Sequence, residues 1–155
     1  DMKEDIYEEV NLYEIAQNCV DMLQMSAGKH NVSLVLHGSN QYVKANKQMM
    51  EELIYNLCDN AIRYNNPGGS VDVTVEYKNG KTLVEVKDTG IGIPKEHQER
   101  IFERFYRVDK SRSKSTGGTG LGLAIVKHIV AKHPNAKLEL NSEVGKGTTI
   151  RVLFD

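Results

Sequence analysis

The chain has 155 residues, 39% hydrophobic and 26% charged, with a formal net charge of -1. That length suits one domain around a single core, and the composition excludes a disordered or fibrous chain. The near-zero charge disfavours non-specific nucleic-acid binding, and no apolar stretch approaches the roughly 20 residues of a membrane span.

Residues 1–10 begin with Asp1-Met2-Lys3-Glu4-Asp5, too polar for a signal peptide, and read as the tail of a connection from a longer chain. From Leu12, apolar residues recur at helical spacing through Ile15, Ala16, Cys19, Val20 and Leu23, with Gly28 as the expected stop. Residues 32–36 suit a strand. Asn46 suits the N-cap of a second helix, whose apolar side is Met50, Leu53, Ile54, Leu57, Cys58 and Ala61, before Pro67-Gly68-Gly69 stops it. Cys19 and Cys58 sit among apolar neighbours without a CxxC pair and read as buried thiols. Val71, Val73 and Val75 alternate with polar residues, and Asn79-Gly80 turns the chain into a returning strand over residues 82–87. Residues 94–118 hold a short helical stretch through Ile101 and then a polar run without an apolar period, expected to be a long mobile loop with a function. A third helix over about residues 120–132 follows, with His128 and His133 expected as a surface pair. A hairpin of residues 137–141 and 149–154 ends the chain, with Ile150, Val152 and Phe154 on one face. These periods predict an α/β two-layer sandwich, a mixed sheet of about five strands carrying three helices on one face.

Three groups of residues carry chemistry. On the second helix, Asn56, Asn60 and Arg63 fall within an arc of roughly 60°, opposite the apolar side. A plain solvated face favours Lys and Glu, whereas two amides four residues apart suit an oxygen-liganded cation such as Mg²⁺ that shares phosphate oxygens. At a strand end, Asp88 has the parity of Val84 and Val86 and points into the layer between sheet and helices. A carboxylate there needs a donor, which the amine of an entering adenine supplies, and Gly90 and Gly92 leave a flat ring room to approach. Finally, Gly118-Thr119-Gly120-Leu121-Gly122 opens a helix, whose first N–H groups attract phosphate. It is neither a dinucleotide fingerprint nor a Walker A loop.

Four segments together resemble a known family. Asn56-Leu57-Cys58-Asp59-Asn60-Ala61 is similar to the N box, Asp88-Thr89-Gly90-Ile91-Gly92 to the G1 box, Ile101-Phe102-Glu103-Arg104-Phe105-Tyr106 to the F box, and Gly118-Thr119-Gly120-Leu121-Gly122-Leu123 to the G2 box of the catalytic, ATP-binding domain of bacterial sensor histidine kinases. The resemblance implies the Bergerat (GHKL) fold over residues 11–155, with residues 94–118 as an ATP lid. It implies ATP and Mg²⁺ as cofactors and γ-phosphoryl transfer to a histidine on a separate helical dimerisation domain, upstream of a response regulator. By matching position, Asn60 holds Mg²⁺, Asn56 and Arg63 lie at the phosphates, and Tyr64 and Ile93 lie near the nucleotide. Asp88 reads the adenine amine, and Arg107 meets the γ-phosphate in the transition state. Gly118, Thr119, Gly120, Leu121, Gly122 and Leu123 shape the phosphate-side loop, and Thr148 supports Asp88. The implied location is the cytoplasmic part of a membrane-anchored sensor, with no nucleic-acid partner and no direct membrane contact.

None of the five histidines has the acidic follower of the family's phosphoacceptor, so the acceptor is expected elsewhere. Related Bergerat-fold ATPases that hydrolyse ATP carry a glutamate where this chain has Asn56, and an amide cannot take a proton from water. Anti-sigma-factor serine kinases share the fold, but the box at residues 102–106 resembles the histidine-kinase element. A regulatory nucleotide-binding module without transfer activity is the remaining alternative.

Overall fold

The structure is a computed structural model and describes residues 6–106 and 122–155. In chain order the first elements are β1 (Glu8–Asn11), α1 (Leu12–Lys29), β2 (Ser33–Gly38), β3 (Tyr42–Ala45) and α2 (Lys47–Arg63). They are followed by β4 (Ser70–Lys78), β5 (Lys81–Asp88), a 3₁₀ turn (Lys95–His97), α3 (Gly122–Ala131), β6 (Ala136–Glu143) and β7 (Gly147–Phe154). The main sheet has the order β2-β4-β5-β7-β6. Only the β2–β4 pair is parallel, so the sheet is mixed as expected, and the three helices cover one face of it.

Alternation sets that face. Val71, Val73 and Val75 of β4, Val84 and Val86 of β5, and Ile150, Val152 and Phe154 of β7 are all buried against Leu53, Ile54 and Leu57 of α2 and Val126 and Ile129 of α3. Each fully buried side chain of this kind contributes roughly 1.5–3 kcal/mol. The outer face is mainly polar: Glu85 and Arg151, opposite each other in register, form an ion pair of 2.6 Å, beside an apolar pair of Leu83 and Leu153. The β4–β5 turn uses Asn79 and Gly80 at φ +54° and +81°, the left-handed pair that a tight hairpin requires. Asn46 caps α2 as expected, its side chain accepting from the Met49 N–H. Cys19 and Cys58 are buried free thiols, and burial pushes both thiols well above their ordinary pKa.

Three expectations need correction. Gly28 does not stop α1; the helix runs on to Lys29, and Asn31 takes the left-handed position at φ +58° while the Val32 N–H bonds back to the Ala27 carbonyl. Two further strands exist beyond the five, β1 and β3, paired antiparallel as a separate small sheet that begins within residues 1–10. His133 is not on the surface: it is 1% exposed, accepting at Nε2 from the Asn46 N–H and donating from Nδ1 to the Ile129 carbonyl. The Tyr7 ring lies 5.0 Å from its ring, and the Tyr7 hydroxyl donates to the Lys132 carbonyl. His128 is exposed, as expected. Among the described residues no helix is long and apolar enough to cross a membrane.

Candidate functional site

The N box and the G1 box, remote in sequence, meet because the chain returns from the end of α2 through β4 and β5. The Ile91 N–H donates to the Tyr64 carbonyl (3.2 Å), which fastens the residues after β5 to the last turn of α2. Asn65, 6% exposed, reinforces the corner by donating from Nδ2 to the Ser70 carbonyl, while Thr89 Oγ1 accepts from the Ser70 N–H. Sequence reasoning missed both residues. Their shared partner, Ser70 at the start of β4, lies 5 and 19 positions away, and neither side chain belongs to a periodic pattern.

Asp88 is where parity placed it, 9% exposed on the inner face. Its Oδ1 accepts from the Gly90 N–H (2.8 Å) and the Thr148 N–H (3.1 Å), and among the described residues Oδ2 has no partner. Burial raises its pKa from 3.8 to about 6, against the opposing pull of the two backbone N–H groups. The carboxylate is thus half satisfied, with one oxygen left for a donor from outside.

Gly90 and Gly92 lack side chains for a reason internal to the fold. A Cβ at Gly90 would lie 2.4 Å from the Tyr64 carbonyl oxygen, and one at Gly92 would lie 2.2 Å from that of Glu143. Gly92 also sits at φ +75°. Gly92→Ala is therefore expected to lower the unfolding free energy by about 2 kcal/mol or more, from left-handed strain plus the displaced β6 backbone. Urea denaturation checks this; an unchanged midpoint contradicts it.

Thr148 opens β7 directly opposite Asp88, and Ser142 on β6 lies opposite Thr148. Ser142 Oγ accepts from the Ile93 N–H (2.9 Å), donates to the Gly147 carbonyl (3.0 Å) and lies 2.7 Å from Thr148 Oγ1. Gln98 adds donated bonds to the Ile93 and Ser142 carbonyls. Ser142 and Gln98 were not among the predicted residues.

On α2, Asn56, Asn60 and Arg63 are all half-buried. Asn56 donates from Nδ2 to the Glu52 carbonyl, and its Oδ1 faces the first residue of α3, where a Cβ on Gly122 would come within 3.3 Å. This contact joins the N box to the helix that the G2 box opens, with half-buried Leu123 next to it. Arg63 pairs with Asp59 at 2.9 Å, one turn earlier. The Asn60 amide makes no hydrogen bond to the described residues, so its oxygen is available as a ligand. No group of three or more His, Cys, Asp or Glu among the described residues could hold a metal alone. A cation at Asn60 would therefore take most of its oxygens from a bound substrate, as the amide-rich edge suggests. Arg107, Gly118, Thr119, Gly120 and Leu121, with the rest of the predicted lid from residue 107, lie outside the described residues. Of its earlier part, the 3₁₀ turn buries no side chain, and Ile101, four residues beyond it, is 7% exposed.

The chain is 41% identical over 141 residues to the sensor-like histidine kinase SenX3 of Mycolicibacterium smegmatis, covering 90% of this chain and 36% of that protein. It spans about a third of the length of the curated relatives it matches. Its fold is similar to that of the mycobacterial sensor histidine kinase MprB (TM-score 0.81, 26% identity, covering 96% of this chain and 97% of that one). It is also similar to the nucleotide-free catalytic domain of the histidine kinase ThkA (TM-score 0.80, 25% identity, covering 96% and 95%). The family model described as histidine kinase-, DNA gyrase B- and HSP90-like ATPase matches residues 45–155, and the chain belongs to that family.

Proposed function

We propose that residues 11–155 bind ATP as its Mg²⁺ complex and transfer the γ-phosphoryl group to a histidine on a separate helical dimerisation domain. The product would feed a response regulator, on the cytoplasmic side of a membrane-anchored sensor kinase. The observation that carries this reading is the divided Asp88 carboxylate. Two backbone N–H groups hold Oδ1, and Oδ2 is left to accept from the exocyclic amine of adenine. Asn60 would supply an amide oxygen to the cation, with Asn56 and Arg63 beside the phosphates. Bound Mg²⁺ supplies compensation for the β- and γ-phosphate charge. Arg107 is assigned to the charge that develops on the γ-phosphoryl group as it leaves ADP.

Hydrolysis is not favoured. Asn56 occupies the position where a general base would sit, and an amide whose Nδ2 already donates to the Glu52 carbonyl accepts no proton. The isolated domain is therefore expected to bind ATP and ADP, more tightly with Mg²⁺, without appreciable phosphate release and without labelling itself. Calorimetric titration with and without Mg²⁺, followed by a phosphate-release assay, tests this. Binding indifferent to nucleotide and metal, or steady hydrolysis, overturns it.

A further inference from the structure

The contacts of Ser142 form a closed set with a chemical consequence. A serine hydroxyl has one proton and two lone pairs. The Gly147 carbonyl can only accept, so it takes the Ser142 proton at 3.0 Å. The Ile93 N–H can only donate, so it occupies one lone pair at 2.9 Å. With the Ser142 proton on that carbonyl, the second lone pair is left to Thr148 Oγ1, at 2.7 Å, whose own proton then points there. The Thr148 hydroxyl then has only lone pairs to offer elsewhere, and it stands directly across from Asp88 in register, 9% exposed like Asp88.

We propose that Ser142 is a specificity-determining positioning residue: by consuming the Thr148 proton it makes Thr148 an acceptor beside Asp88, so that this wall admits a purine carrying an amine at position 6 and rejects one carrying a carbonyl. This rests on the nucleotide-binding reading above. A 6-amino group brings two donors to two acceptors. A 6-carbonyl brings a third acceptor and leaves the buried pair unmatched, which is the condition for strong rejection. Removing the Ser142 hydroxyl frees the Thr148 rotor to donate to that carbonyl.

The test measures Kd for ATP and ITP, which differ in the group at position 6 and in the proton that the 6-carbonyl purine carries on N1, on the wild-type domain and on Ser142→Ala, Ser142→Thr and Thr148→Val. The ATP-over-ITP preference is expected to fall about tenfold in Ser142→Ala and to return in Ser142→Thr, which restores a hydroxyl on a strand position. In a Thr148→Val background, Ser142→Ala is expected to change the ratio no further. A merely structural role for Ser142 weakens both nucleotides together and leaves the ratio at the wild-type value; that result overturns the inference. If the wild type binds neither nucleotide, the reading of the site itself fails, which is distinguishable from both outcomes.

Discussion

Asn60→Ala is expected to reduce ATP affinity in Mg²⁺ by about 100-fold or more, to the level the wild type shows without Mg²⁺, because the protein's own oxygen ligand is lost. The substitution should leave the fold intact. The Asn60 side chain is half-buried and bonds to none of the described residues, and alanine is the better helix former by about 0.5 kcal/mol. Unchanged or slightly raised thermal stability together with loss of Mg²⁺-dependent binding is the combination to look for in parallel melting and titration. A variant that binds Mg-ATP like the wild type removes Asn60 from the metal.

Asp88→Asn is expected to act in opposite directions on binding and stability. If the substituted amide keeps its oxygen at the Oδ1 position, accepting from the Gly90 and Thr148 N–H groups, its nitrogen stands where Oδ2 stood and turns a donor toward the adenine amine. ATP affinity should fall by about 1.5–3 kcal/mol. The ligand-free domain should become more stable at pH 8. The folded pKa, about 6, lies above the unfolded value of 3.8, so the Asp88 contribution is fully favourable below the unfolded pKa and is lost as pH rises through 6. Above that pH the buried carboxylate is ionised at a cost of up to about 3 kcal/mol, which the amide avoids. Wild-type ATP affinity should conversely drop as pH falls from 8 through 6, because the amine needs the ionised acceptor. The Asp88→Asn profile serves as the control for titration of the phosphates themselves. Equal pH profiles for the two proteins contradict the assignment.

What could be read from the sequence was set by local chemistry. Asn46 as a cap, Asn79-Gly80 as a hairpin and the valines of β4 depend on neighbours within a few residues, and the structure has all three. Asp88 was legible because a strand with known neighbours fixes the side on which a residue lies. His133 was not: its burial depends on Asn46, 87 positions earlier, and on Tyr7, neither of which its helical period announces. The pairing of β1 with β3 was hidden for a similar reason. Each is four residues long, and β1 has a single fully buried residue, Val10, too few for an alternation to show. Ser142 is a polar residue on the inward side of a strand whose other inward residues are apolar, and only the approach of Ile93 and Thr148 gives it a role. The G1 glycines looked like room for a ring, whereas the space they leave is filled by the carbonyls of Tyr64 and Glu143.

The most direct measurement supplies the domain with γ-labelled ATP and Mg²⁺ beside a separately produced dimerisation domain carrying the acceptor histidine, and follows the label. The expected result is acid-labile phosphate on the acceptor histidine, none on this chain and little free phosphate. Label that stays on ATP, appears on this chain or passes to water instead would contradict the account.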